Sequence, residues 1–353
     1  MTQDFLYGIV EQTRPSTIGV HGLDGTRPVR LVASGNLGVV VSADRISPDI
    51  QALPRETLLK YLVAYQRVVE HVMRRHSVLP VRFGTQLASA AEVRDLVSQN
   101  HTTLAEAFGR MRGFTELEVA ATWDLGLVLQ KVGRDPAIVS AREAIERAGS
   151  PSPEARIEFG RLVGSHIERQ KVAIREAALE ALTPMASSTA SHAVLSADLV
   201  MNEAFLVSSG DVAEFERRVH GLDERFDGQI NFRIIGPLPP YTFCTVEVIR
   251  VTADQRHEAT QALGLPDEDA DETAIRGAYR RAAAAAQRRR LADARPTETG
   301  QRDLKGASEL LLDLSHTDAR VGSQGQDRWV VKIRTTGLDD IGAASYGGAS
   351  AGL

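Results

Sequence analysis

Asn202-Glu203-Ala204-Phe205-Leu206-Val207, then Ser208-Ser209-Gly210-Asp211, then Val212-Ala213-Glu214-Phe215-Glu216-Arg217-Arg218-Val219-His220-Gly221-Leu222, reads as strand, cap and helix. The apolar run suits a strand. Ser209-Gly210-Asp211 supplies turn and N-cap chemistry, and Phe215, Val219 and Leu222 then fall on one helix face. Upstream, Ala193-Val194-Leu195-Ser196-Ala197-Asp198-Leu199 reads as the hairpin partner of 202–207. Downstream, Gln229-Ile230-Asn231-Phe232-Arg233-Ile234-Ile235-Gly236 is strand-like. The turn Gly236-Pro237-Leu238-Pro239-Pro240 interrupts it, and a long strand from Tyr241 to Val251 follows. Strand, strand, helix, strand, strand is most of a ferredoxin-like unit. That order ranks the fold and leaves the function open.

The N-terminal part has the same two-layer character. Phe5–Val10, Val29–Ala33 and Leu37–Ser42 read as strands, with Ser34-Gly35-Asn36 as a hairpin turn. From Pro54 the period changes, and Leu58, Leu62, Tyr65, Val69 and Val72 mark a helix of about 20 residues. Val78-Leu79-Pro80-Val81-Arg82-Phe83-Gly84-Thr85 is strand-like, and its proline places it at an edge or a strand start. One helix is expected over Ala90–Arg110, and Thr115–Trp123 alternates as a half-exposed strand. Residues 134–188 read as helices, the longest from Glu154 to about Leu182. The reading is therefore α+β: two ferredoxin-like α/β units joined by long helices, with a small helical insert. The expected boundaries are 1–133, a helical linker 134–188, a C-terminal domain of 189–253 with 326–335, and an insert 254–316. A last strand, Arg328–Arg334, is expected to return to the second sheet, and a Gly/Ala/Ser tail, 336–353, is expected to be disordered.

Composition excludes several classes. The chain has 353 residues, net charge -5 and one cysteine, Cys244, so an intramolecular disulfide is impossible and a thiolate metal cluster is not expected. Of the 41 basic residues only Lys60, Lys131, Lys171, Lys305 and Lys332 are lysine, a skew that carries no functional meaning by itself. MTQDFLYGIVEQ has no basic segment followed by an apolar core, and no run reaches membrane-spanning length. The expectation is a soluble cytoplasmic protein that binds neither nucleic acid nor membrane.

Catalytic signatures are missing. No glycine-rich phosphate loop of either standard kind occurs, and no HExxH. His71 and His76 sit about 140° apart on a helix and cannot share a metal. Cys244 has no neighbouring base to make a thiolate, and Glu116 and Glu118 on one strand face read as a solvated pair. No catalytic, cofactor or metal residue is expected. The remaining feature is a basic helix carrying Arg276, Arg280, Arg281, Arg288, Arg289 and Arg290, which reads as a protein-docking or solvated face rather than a nucleic-acid contact.

Three segments, in order, resemble a known family: Phe5-Leu6-Tyr7-Gly8-Ile9-Val10, Val78–Thr85, and Gly236-Pro237-Leu238-Pro239-Pro240-Tyr241-Thr242-Phe243. Together they are similar to the gas vesicle protein family usually called F/L, over roughly residues 4–251. The resemblance implies a two-domain α+β accessory protein without catalysis. It also implies that the protein binds the small apolar shell subunit, alongside other gas vesicle accessory proteins, in the cytoplasm at the vesicle. The family-typical residues are Tyr7, Gly8, Pro80, Arg82, Phe83, Gly84, Gly236, Pro237, Pro240 and Tyr241. Their simplest role is to shape turns and close approaches. Arg82 is the exception, because a charge in an otherwise apolar strand needs a partner.

A second resemblance covers the insert. Ala262-Leu263-Gly264-Leu265, Ala274–Ala282 and Ala307-Ser308-Glu309-Leu310-Leu311 look like the helical skeleton of a J-domain, which stimulates Hsp70-type chaperones through a His-Pro-Asp turn. Here the matching stretch is Gln287-Arg288-Arg289-Arg290-Leu291-Ala292-Asp293 and the triplet is absent, so that activity is not expected. Two rivals to an assembly role are a small-molecule regulatory module on paired ferredoxin-like domains and an unrecognised enzyme. A polar inter-domain pocket would favour the first, and convergent titratable groups the second.

Overall fold

In a computed structural model the chain is described over residues 3–334, apart from 13, 48, 51, 148, 150–151, 267–269, 293–298 and 319–326. The tail 336–353 lies outside the described residues. The chain forms two compact units: unit 1 is Met1–Arg112 with Cys244–Arg334, and unit 2 is centred on Gly113–Phe243.

Unit 1 begins with β1 (Asp4–Val10), β2 (Thr17–His21), β3 (Pro28–Ser34), β4 (Leu37–Ser42) and α1 (Arg55–Met73). It continues with β5 (Val78–Pro80), β6 (Gln86–Leu87), α2 (Ala90–Gln99) and α3 (His101–Met111). The sheet order is β2-β3-β4-β1-β5, antiparallel, with β6 also on β1. Every residue of β1 is buried, which is why its sequence is nearly continuously apolar instead of alternating. Leu6, Ile9, Val39 and Val41 join Val93, Leu96, Leu104 and Phe108 of α2 and α3 in one core. The expected single helix over 90–110 is broken at Asn100, whose φ of -132° leaves the helix. Nor is the strand order of unit 1 ferredoxin-like, because β2, β3 and β4 form a meander and β1 closes against it.

Unit 2 carries β7 (Phe114–Trp123), α4 (Leu125–Val132), α5 (Pro136–Arg147), α6 (Pro153–Leu182) and β8 (Ala186–Ser191). Then come β9 (Leu199–Ser208), α7 (Val212–Arg225) and β10 (Ile230–Leu238). The order β10-β7-β9-β8, all antiparallel, is the ferredoxin-like order, with α6 and α7 as its crossovers. Its first strand is β7, so the boundary expected at 133 falls instead at 112–113. Leu117, Phe205 and Met201 pack against Phe215, Val219, Ile174 and Leu182 to make the core. The hairpin partner of β9 is Ala186–Ser191, not the expected 193–199. This edge strand is small and polar and gives no apolar alternation, whereas Val194 and Leu195 are apolar yet exposed.

Unit 1 is completed by β11 (Thr245–Val251), α8 (Ala253–Leu263), α9 (Glu272–Ala292), α10 (Thr299–Ser315) and β12 (Arg328–Arg334). The expected strand from Tyr241 starts only at Thr245. β12 pairs with β11 in a separate two-stranded sheet, so it does not return to the second sheet. Alternation divides the two faces of this sheet. Val246, Trp329 and Val331 enter the β1–α3 core, whereas Val251 and Val330 pack with Leu263, Ile275, Ala278 and Leu311 of the insert. Thus 245–251 and 328–334 belong with unit 1, not with the C-terminal domain to which the sequence reading gave them.

Cys244 lies in the unit 1 core at 1% exposure. Burial pushes its thiol up to about 11, with Arg110 opposing, so little thiolate forms at pH 8. Ellman's reagent at pH 8 should leave the folded protein unlabelled and titrate one thiol per chain after unfolding. Rapid labelling of the native chain would contradict this burial.

Candidate functional site

The family-like residues fall into two clusters. The first is in unit 1, where β1 meets β5. Gly8 pairs with Pro80, and a Cβ on Gly8 would sit 2.7 Å from Val78 Cγ2 and 3.2 Å from the Leu79 carbonyl oxygen. The glycine is therefore there for strand approach. Tyr7 turns its hydroxyl to Ser42 Oγ at 2.8 Å and donates to Asp44 Oδ2 at 3.3 Å, and burial drives its pKa upward. Phe83 packs edge-on to Phe5 and Tyr65 with ring centroids 5.7 and 5.6 Å away. The partner Arg82 needs is present. Its guanidinium pairs with the buried Glu247, which also holds Arg334, and its backbone N–H donates to the Val246 carbonyl at 2.8 Å. A groove beside this junction, about 410 Å³, is lined by Arg82, Phe83, Gly84, Glu92 and Arg250 among others.

The second cluster is in unit 2. Gly236-Pro237 is a cis peptide, and β10 bulges there before Leu238 pairs with Glu116. Beyond it, Pro240 is buried, and the backbone N–H of Phe243 bonds to its carbonyl oxygen at 3.2 Å. This turn delivers Thr242 to Glu116: the Thr242 N–H donates to Oε2 at 2.8 Å and its hydroxyl to Oε1 at 2.7 Å. Thr242 Oγ1 also lies 3.3 Å from His192 Nε2. Glu116, Glu118 and His192 each bring one ligand atom within 4.8 Å of the others. Glu116 is 1% exposed. Burial pushes its carboxyl up to about 8, the two Thr242 donors pull it down, and Glu118 adds to the rise. Burial also raises the Glu118 carboxyl, with His192 opposing. The sequence reading made Glu116 and Glu118 a solvated pair. The shared strand face was legible, but the burial was not, because Thr242 comes from a distant turn.

Sequence reasoning also missed an ion pair on the helix side of this sheet. Arg175 of α6 donates to Glu203 Oε1 at 2.6 Å and to Ser191 Oγ at 2.7 Å, so Glu203 is buried but not orphaned. Beside it, Val172, Val194 and Leu195 line a groove of about 460 Å³ rimmed by Lys171, Arg175 and Glu168. In the insert, Arg276, Arg280, Arg281 and Arg288 are exposed on α9, and Arg276 is ion-paired with Glu272. The side chains of Arg289 and Arg290 lie outside the described set. This third group joins neither cluster.

Turns, close backbone approaches and an exposed arginine paired with a buried carboxylate make the family-like residues those of an α+β scaffold built from a meander unit and a ferredoxin-like unit. The chain belongs to the gas vesicle synthesis protein GvpL/GvpF family, whose family model matches residues 4–245. Gas vesicle protein F of Nostoc sp. (strain PCC 7120) is 24% identical over 245 residues, covering 69% of this chain and 98% of that protein. Its counterpart in Microcystis aeruginosa (strain PCC 7806) is 25% identical over 243 residues, covering 68% and 96%. The crystal structure of GvpF from Anabaena sp. PCC7120 superposes with a TM-score of 0.59 at 23% identity, over 69% of this chain and 98% of that one. The Microcystis aeruginosa GvpF crystal structure gives 0.56 at 24% identity, with the same coverage. These proteins are named for gas vesicles and not for a reaction, and the role of this chain is a gas vesicle one. Among the described residues no helix is long and apolar enough to cross a membrane. The match stops at residue 245, so the insert and β12 lie outside it, and the J-domain likeness rests on sequence alone.

Proposed function

We propose that the protein is a non-catalytic accessory factor in gas vesicle assembly that binds the apolar shell subunit in the cytoplasm, together with other accessory proteins. Family membership over 4–245 is the observation that carries this reading. The physical motive is simple. A subunit that coats a gas space exposes apolar surface, which costs about 25 cal/mol per Å² in water, and a partner that covers it prevents aggregation. The family-matched body offers apolar side chains for this purpose, with Leu195 79% exposed and Val172 and Val194 beside it.

Full-length protein co-expressed with the shell subunit should co-purify with it. In a pull-down titration, Leu195→Asp should weaken capture about tenfold, whereas replacing Arg288, Arg289 and Arg290 with glutamate should leave it within about threefold at moderate salt. Circular dichroism controls for folding. Loss of capture in the arginine variant with none in Leu195→Asp would move the interface to the insert.

A further inference from the structure

We propose that Glu116, Glu118 and His192, on unit 2 of the chain, bind a divalent first-row transition ion such as Zn²⁺. This goes beyond the assembly reading and does not depend on it. Three observations converge. Two carboxylates and one imidazole, supplied by β7 and by the turn after β8, place their ligand atoms within 4.8 Å of one another. A mixed nitrogen and oxygen donor set of this kind suits Zn²⁺ and its neighbours rather than Ca²⁺ or Mg²⁺. A tetrahedral ion holds its ligand atoms about 3.4 Å apart at normal bond lengths. Glu118 and His192 are only half-buried and can turn inward to reach that spacing.

The second observation is electrostatic. Glu116 is 1% exposed, and its ligand oxygen, one of Glu118 and a His192 nitrogen lie within 4.8 Å of one another. Glu203, the buried carboxylate on the same sheet's helix side, has an arginine. Among the described residues no arginine or lysine forms an ion pair with Glu116 or Glu118, and a bound cation compensates such a pair well. The third is orientation. Thr242 donates to both oxygens of Glu116, one bond each, and sits 3.3 Å from His192 Nε2. Each carboxylate oxygen keeps a lone pair. Outer hydrogen bonds that fix a ligand in this way are the usual companion of a metal site. The family-typical turn 236–241 then acquires a use, since it carries Thr242 to this position.

Full-length protein stripped with EDTA is titrated with Zn²⁺ by calorimetry, and with Co²⁺ while recording its d–d absorption. The expected result is one ion per chain at micromolar affinity or tighter. A rise in melting temperature with Zn²⁺ should accompany it. Glu118→Gln and His192→Ala should each weaken binding at least tenfold and abolish the cobalt bands, and Thr242→Val should weaken it about tenfold. Glu118→Gln is nearly isosteric and half-buried, so it remains informative if a Glu116 variant fails to fold. No saturable binding of either ion, or binding that both the Glu118 and His192 variants retain, overturns the proposal.

Discussion

Asn100→Ala is expected to lower the unfolding free energy by about 3 kcal/mol, although Asn100 lies in a segment that reads as helix interior. Asn100 is 1% exposed. Its Nδ2 donates to the Leu96 carbonyl at 2.9 Å and the Trp329 carbonyl at 2.8 Å, and its Oδ1 accepts from the Val331 N–H at 2.9 Å. The side chain thus acts as a short length of strand for the outer edge of β12, and Gln99 Oε1 extends it by accepting from the Trp329 N–H at 2.8 Å. Alanine leaves one donor and one acceptor of β12 without this partner in a buried place, each costing about 1–3 kcal/mol. Urea unfolding gives the free energy. Hydrogen exchange adds location: the Val331 amide should lose protection while Phe205, in the other unit, keeps it. A change below 1 kcal/mol with Val331 still protected would show that the β11–β12 sheet is held by its apolar face alone.

Gly236→Ala should be the most damaging single-methyl change in unit 2. Gly236 has φ of +138°, a region that side chains strongly disfavour, at about 1–3 kcal/mol. Its added Cβ would stand 2.8 Å from Leu117 Cδ2 and 2.9 Å from the backbone oxygen of Glu116. Leu117 is a core residue and the oxygen belongs to the central strand, so neither moves freely, and overpacking adds about 1–3 kcal/mol. Together these predict a loss of about 3–5 kcal/mol, a fall of 10 °C or more in the melting temperature of this unit. Gly221→Ala is the matched control. Gly221 lies inside α7 with nothing within 4 Å of its would-be Cβ, so alanine there should stabilise by about 0.5–1 kcal/mol. Equal behaviour of the two variants in a thermal melt would refute the steric account.

Where burial and local chemistry agreed, the fold was readable in advance. The apolar runs of β1, β4 and β9 and the stripes of α1 and α7 predicted elements close to those observed. Where an element is defined by its neighbours, the sequence misled. Ala186-Ser187-Ser188-Thr189-Ala190-Ser191 is a strand because β9 offers it an edge, not because its side chains alternate. The break at Asn100 has no glycine or proline to announce it, since its cause is a set of hydrogen bonds to residues more than two hundred positions away. The alternation of 115–123 marks β7 as a strand but not the unit it joins, because pairing partners are not encoded in a strand's own period. The candidate sites divide in the same way. The resemblance marked Gly236, Pro237, Pro240 and Tyr241, yet what their turn accomplishes at Glu116 depends on a contact between residues 116 and 242.

Val251 and Arg328 are directly paired, and between them the chain leaves the sheet to build, among the described residues, three helices and comes back. Since the hairpin already holds those two ends side by side, the closure entropy of whatever hangs there grows only slowly with its length. Such a junction is a natural port for evolutionary tinkering: a lineage can lengthen, trade or discard the cargo while the strands on either side stay in register. The price of discarding it is local. Ile249, Val251 and Val330 shelter beneath α8, α9 and α10, and a descendant that kept only a tight turn would have to replace those three with polar residues.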